Sequence, residues 1–234
     1  MARDGQSVSE PHPLDRQIWS ALNGRQKPLS SGDARARRLD PALGPFAATV
    51  DETPESYHAL AALTRGGPDI ALFTHAPPPA SAAFASLMSA SLDQFVGIAP
   101  AREAARTDIV RLGAADAAEM LALADLTKPG PFLIRTHELG AFFGVRVDGR
   151  LAAMAGERLK PEGHTEITAV CTHPDFRGRG LAAALIRRVA EEIAARGETP
   201  FLHVFSHNAP AIAVYERLGM KKRRSFIVTR LSPR

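Results

Sequence analysis

The chain has 234 residues, 45% hydrophobic and 23% charged, which is ordinary for a globular protein and allows one large domain or two small ones. Its 29 Lys and Arg against 25 Asp and Glu leave a formal charge of +4, and with no aromatics interleaved among the basic residues this argues against a nucleic-acid partner. A single cysteine, Cys171, excludes an internal disulfide; the polar start lacks the apolar stretch of a signal peptide, no apolar run reaches the roughly 20 residues of a membrane span, and a cytoplasmic protein with no membrane partner is expected.

The elements follow in order. Met1 to Pro13 is polar, carries two prolines and reads as a flexible tail. Leu14 to Leu22 reads as a short helix with Leu14, Ile18 and Leu22 on one face. Gly24 to Gly44 reads as irregular, Phe46 to Val50 as a strand, and Pro54 to Leu63 as a helix that starts on proline and ends before Gly66-Gly67. Asp69 to Thr74 reads as a strand, and the Ala-rich Ser81 to Ser91 as helical. The weak periodicity from Ile98 to Arg106 marks a boundary between residues 14–105 and 107–234. The second half reads β-α-β-β-β-α-β-α-β. Its elements are Asp108–Leu112, Ala115–Leu126, Ala141–Val147, Leu151–Arg158, Thr165–Thr172, Gly180–Arg196, Phe201–Phe205, Asn208–Leu218 and Ser225–Leu231. Asp148-Gly149 supplies a hairpin turn, Gly197 closes the long helix, and Asn208 caps the next one. Two basic runs, Arg35 to Arg38 and Lys221 to Arg224, read as solvated faces.

The stretch Val170 to Ala182 (VCTHPDFRGRGLA) runs from a strand through a glycine turn into a helix. Gly178 and Gly180 allow close approach of backbone amides to a ligand, and the helix behind them presents its free N-terminal amides. Arg177 and Arg179 add positive charge, so the residues alone build an anion site. Gly178 to Ala183 also fits G-x-G-x-x-G/A. A dinucleotide turn, however, follows its first strand at once and is answered by an acidic residue ending the next strand. Here His173 to Arg177 intervene, and Glu198 precedes its strand.

The same stretch resembles motif A of the GNAT acetyltransferases, with Arg177, Gly180 and Ala182 in the places of R/Q-x-x-G-x-G/A. A second block, Phe201 to Met220, is similar to the family's strand, Asn, helix and Y-E-x-x-G-F sequence. It supplies Asn208, Tyr215, Glu216 and Gly219, with Met220 where an aromatic is usual. The resemblance covers about Thr107 to Leu231. It implies an α/β (α+β) fold with a mixed, mostly antiparallel GNAT sheet flanked by helices. The N-terminal α/β region is then a degenerate half of the same fold, or a cap over the acceptor site.

The resemblance also implies an N-acetyltransferase that uses acetyl-CoA as co-substrate and a small-molecule or peptide amine as acceptor. The backbone of Val170, Cys171 and Thr172 would pair with the pantetheine arm, as a peptide adds to a sheet edge. Arg177, Gly178, Arg179, Gly180, Leu181 and Ala182 would wrap the pyrophosphate, and Asn208 would meet the pantetheine side. Tyr215 would protonate the departing thiolate. Glu166, placed by alternation on one face with Thr168, Val170 and Thr172, resembles the family's general base, against the reading of an ordinary strand-end carboxylate. Cys171, pointing away from Glu166 among apolar neighbours, reads as structural. His203 and His207 lack a third ligand, so no metal is expected. A non-catalytic acyl-CoA sensor and a transferase of longer acyl groups are the competing readings.

Overall fold

The computed structural model describes residues 12–99 and 108–234. Apart from His12 and Pro13, the tail read over residues 1–13 therefore lies outside the described residues, as does most of the segment read as a boundary.

The described residues open with a one-turn helix, Pro13–Arg16, running into α1 (Gln17–Asn23). Three short strands follow, β1 (Ser30–Gly32), β2 (Ala36–Leu39) and β3 (Ala47–Thr49), paired antiparallel in that order. Next come α2 (Pro54–Thr64), β4 (Ile70–Thr74) and β5 (Phe84–Val96). The second half supplies β6 (Ile109–Leu112), α3 (Ala117–Thr127), β7 (Phe142–Val147), β8 (Arg150–Glu157), β9 (His164–Thr172), α4 (Leu181–Ala195), β10 (Thr199–Phe205), α5 (Ala209–Arg217) and β11 (Lys221–Pro233). That is the expected β-α-β-β-β-α-β-α-β order.

Strands β4 to β11 form one sheet in the order β4-β11-β5-β10-β9-β8-β7-β6, and of its pairings only β9 with β10 is parallel. Strands β4 and β5, from the first half, flank β11 from the second. The sequence division near residue 106 thus runs through a continuous sheet.

Three expectations are corrected here. The Ala-rich Ser81 to Ser91 is not helical. Most of it belongs to β5, which pairs with β11 from Phe84 to Val96 and with β10 only from Leu92 to Val96; the long pairing with β11 outweighs the local preference of alanine for helix. Gly24 to Gly44 is not irregular throughout, since it contains β1 and β2, and all four β2 residues are buried. The basic runs are not merely solvated. Arg37 and Arg38 are buried, and Arg223 donates to Gln94 and Asp15.

Helices cover both faces of the sheet. On α4, Leu181, Leu185, Val189 and Ile193 repeat every four residues, with Ile186 and Ala190 beside them, and this stripe packs on Phe143, Ala153, Ala155, Ile167 and Leu202. Burial of each large side chain there stabilises by roughly 1.5–3 kcal/mol. On the opposite face, Met120, Leu123 and Ala124 of α3 pack with Phe142, Met154 and Cys171. A Cβ on Gly156 of β8 would lie 2.4 Å from the Phe142 ring. Gly156→Ala is therefore expected to destabilise by about 1–3 kcal/mol, read as a lower denaturation midpoint. An unchanged midpoint would mean that Phe142 can give way.

Candidate active site

Two strands part at the centre of the sheet. β9 and β10 are paired only from His164↔Thr199 to Glu166↔Phe201. Beyond that, β10 continues along β5 to Phe205 while β9 stays with β8. The edge of β9 that faces β10 therefore loses its partner strand after Glu166. A cavity of about 1080 Å³ fills the opening, lined by Ile167 to Thr172 on one side and Leu202 to Phe205 on the other.

A bulge bends β9 at this place. Met154 faces Cys171 and Gly156 faces Thr168, so two steps on β8 are matched by three on β9. The extra residue is accommodated at Ala169, whose φ of 51° lies in the left-handed region that costs a residue with a side chain about 1–2 kcal/mol. The bulge also switches faces. Ile167 and Val170 pack towards α4, whereas Ala169 and Cys171 pack towards α3. Glu166 and Thr168 therefore share one face, and Val170 and Thr172 the other. The simple two-residue alternation fails, and Cys171 lies on the Glu166 side rather than opposite it. Cys171 is buried, its thiol pushed up to about 11 by burial, in keeping with a structural residue.

The turn into α4 is open. Gly178 and Gly180 have φ of 76° and 75°, and a Cβ at either would meet nothing within 4 Å. The first backbone bond into α4 runs from the Ala184 N–H to the Gly180 carbonyl at 3.1 Å. Among the described residues, the amides from Gly178 to Ala183 make no backbone bond to a turn or loop carbonyl. Arg177 lines the cavity, and Arg179 lies over the Phe176 ring at 5.2 Å. The Leu181 side chain is buried in the core.

Asn208 and Tyr215 bring α5 to the same cavity. Asn208 caps α5 by accepting from the Ala211 N–H at 3.3 Å. Tyr215 packs against Phe95, is 8% exposed, and has its hydroxyl pushed up to about 12 by burial. It has no hydrogen-bond partner among the described residues.

Glu166 is placed otherwise than a base requires. It is fully buried and does not line the cavity. Its Oε1 accepts from Arg158 Nη2 at 2.9 Å and from His203 Nδ1 at 2.7 Å, and its Oε2 accepts from Arg158 Nε at 2.8 Å. Burial pushes the carboxyl up, but the Arg158 charge and the bonds from His203 and Arg158 outweigh this and bring it to about 2. The expected base is thus an ion-paired carboxylate with its lone pairs in use.

His203 Nδ1 points at Glu166, and its Nε2 meets the amide nitrogens of Gln17, at 3.1 Å, and Gln94. Arg223 and the Leu14 carbonyl fix the Gln94 amide, whose Nε2 lies 3.2 Å from His203 Nε2 and donates to it. Arg158 and His203 do line the cavity, as do Arg38, Phe46 and Phe73 from the first half of the chain and Pro129 to Leu133 after α3. None of these carries a motif. The one available hint was F-L-H-V-F, in which alternation puts His203 on the Phe201 face.

No group of three or more His, Cys, Asp or Glu side chains placed to hold a metal occurs among the described residues, and no described helix is long and apolar enough to cross a membrane.

Comparison with known proteins agrees with the geometry. The family model for FR47-like proteins matches residues 142–228. A crystal structure from Novosphingobium aromaticivorans, described as an acetyltransferase of the GNAT family, is 45% identical and superposes with a TM-score of 0.89, covering 96% of this chain and all of that one. The chain belongs to the GNAT acetyltransferase family. A GCN5-related N-acetyltransferase from Kribbella flavida shares the fold, with a TM-score of 0.59 at 17% identity over 94% of this chain and 95% of that one. The ribosomal protein bS18 alanine N-acetyltransferase of Salmonella typhimurium is 37% identical over 76 residues, 32% of this chain and 51% of the relative. The chain spans about half or less of the length of the curated relatives it matches first.

Proposed function

We propose that this protein moves an acetyl group from acetyl-CoA to an amine by direct attack in a ternary complex. The observation that carries the reading is the parting of β9 from β10 beside a helix start with free amides. An extended amide-bearing arm finds an unpaired strand edge in that gap, and a pyrophosphate finds the amides of Gly178 to Ala182 with Arg177 and Arg179. At about 1080 Å³ the cavity exceeds the roughly 300–1,000 Å³ of common small-molecule pockets, which leaves room for an acceptor beside the thioester.

In the reaction the neutral amine nitrogen bonds to the thioester carbonyl carbon and the C–S bond breaks. The departing sulfur takes a proton, and the amine gives one up. Tyr215 is the donor to sulfur in this reading, since burial keeps its hydroxyl protonated. The amine proton leaves through water, because Glu166 is bonded away from the cavity.

Titration calorimetry with acetyl-CoA, with NADH as control, tests the reading. Acetyl-CoA alone is expected to bind. Gly180→Glu, which sets a carboxylate among the amides and a side chain at a φ of 75°, is expected to weaken it about 10- to 100-fold through like-charge opposition and lost approach. NADH binding in its place would favour the dinucleotide turn. Tight binding with no thiol release from any amine would favour a sensor.

A further inference from the structure

The cavity walls carry five cations, Arg38, Lys128, Arg158, Arg177 and Arg230, and two carboxylates, Asp69 and Asp125. Most of this charge is balanced locally. Asp69 takes Arg230 at 2.9 Å and Asp125 takes Lys128 at 3.1 Å. Arg158 is answered from behind by Glu166 at 2.8 Å. Arg177 stands at the glycine turn, where the pyrophosphate is proposed to sit. That leaves Arg38.

Arg38 is 5% exposed and, among the described residues, has no acidic partner. Its Nη2 donates to the Pro68 carbonyl at 2.8 Å, while its buried Nε finds no acceptor. A buried guanidinium without a counter-charge is costly, and a ligand carboxylate would answer it with charge-assisted hydrogen bonds. Its place in the wall is defined by a chain of contacts. Arg38 on β2 pairs with Ala47, and it lines the same cavity as Phe46, Phe73 and His203. The Phe46 ring lies under the Arg158 guanidinium at 4.4 Å and edge-on to Phe73 at 5.8 Å. Phe73 in turn lies edge-on to His203 at 5.0 Å, on the strand that parts from β9. Phe46 and Phe73 thus supply an apolar wall in the cavity that Arg38 and the gap share.

We propose that Arg38 binds the carboxylate of the acceptor, and that the acceptor is a small amine carrying that carboxylate on an apolar frame, an amino acid rather than a peptide N-terminus. The proposal rests on the acetyl-transfer reading above and adds the acceptor class to it. The amine lies towards the parted strands, the apolar body against Phe46 and Phe73, and the carboxylate on Arg38.

The test compares leucine and phenylalanine with their amides, and with an alanine-started peptide amide, as acceptors for acetyl-CoA. The amide's amine is less basic and more often neutral, so a preference for the acid reports binding rather than reactivity. In the wild type the acids are expected to exceed the amides in kcat/KM by at least about tenfold, because an unpaired buried group rejects the analogue that lacks its partner. Arg38→Met is expected to abolish that preference, to leave acetyl-CoA affinity unchanged, and to hold or raise the Tm, since it removes an uncompensated buried charge; a merely structural arginine would lower it. Arg38→Lys keeps the charge and is expected to fall between the two.

Amides or the peptide used as well as the acids would overturn the proposal while leaving acetyl transfer standing. So would an acid preference that survives Arg38→Met. If acetyl-CoA fails to bind, or binds and no amine is acetylated, binding of N-acetylleucine against N-acetylleucinamide decides the matter. Binding of the acid alone, lost in Arg38→Met, supports the anion site even where the transfer reading has failed; equal or no binding of both overturns it.

Discussion

Tyr215→Phe is expected to lower kcat about a hundredfold or more while leaving acetyl-CoA affinity within about twofold, as for an interaction made only in the transition state. The geometry separates these effects. The ring is held by the α4-side core and packs on Phe95, so phenylalanine keeps the packing. The hydroxyl has no partner among the described residues to leave stranded, and the Tm should hardly move.

The pH dependence follows from burial. With the hydroxyl pushed up to about 12, Tyr215 stays protonated through any ordinary assay range. The rate is expected to rise with pH as the amine loses its proton, with no descending limb from Tyr215 below about pH 11, about one unit under its titration. A thiol of ordinary pKa near 8.5 is a stronger acid than this tyrosine. Complete transfer to sulfur is therefore favourable only if burial raises the thiol as well, and otherwise the hydroxyl acts as a hydrogen-bond donor to developing charge. Pre-steady-state kinetics with and without D2O checks this. A full rate for Tyr215→Phe would remove Tyr215 from the chemistry and leave water as the donor.

Much of this was legible in the sequence because it is local. The four-residue repeat of α4, the glycines before it, and the Asn cap and Pro of α5 each state their own structure within a dozen residues. The gap was legible only through resemblance, since nothing in Thr165 to Thr172 says where strand pairing ends. The bulge at Ala169 carries no glycine to announce it, and it reversed the inferred facing of Val170, Thr172 and Cys171 relative to Glu166. The Ala-rich start of β5 misleads because alanine favours helix while its strand state is decided by β11, more than 100 residues away. Arg38 and Arg158 are the sharpest case. Charge in a sequence suggests surface, and only the folded sheet shows one guanidinium answered by Glu166 and the other buried with no acidic partner among the described residues.

Glu166 is expected to matter for folding before it matters for chemistry. Removing one partner of a buried pair strands the other charge, so Glu166→Ala should cost about 3–5 kcal/mol, with Arg158 and the His203 Nδ1 proton left unpaired. At about 2–4 °C per kcal/mol for a chain of this size, that is a fall in Tm of roughly 6–20 °C. Replacing both partners, Glu166→Leu with Arg158→Met, should recover much of the loss, because a well-packed apolar pair of similar volume is often as stable as the ions. The pH dependence has a definite sign. The folded carboxyl, near 2, lies below its ordinary value of 4.5. Its contribution is thus complete above about pH 4.5 and declines as pH falls towards 2, and Glu166→Gln should flatten the acid limb of the stability curve over that window. A base would behave in the opposite way. If Glu166→Gln kept the wild-type Tm at pH 7 and at pH 3 but lost acetyl transfer with an acid limb in kcat, the carboxylate would have to leave Arg158 and reach the cavity during turnover. With both its oxygens held by Arg158 and one also by His203, the folded protein gives it no slack to do so, and its work is to hold those two side chains in the wall.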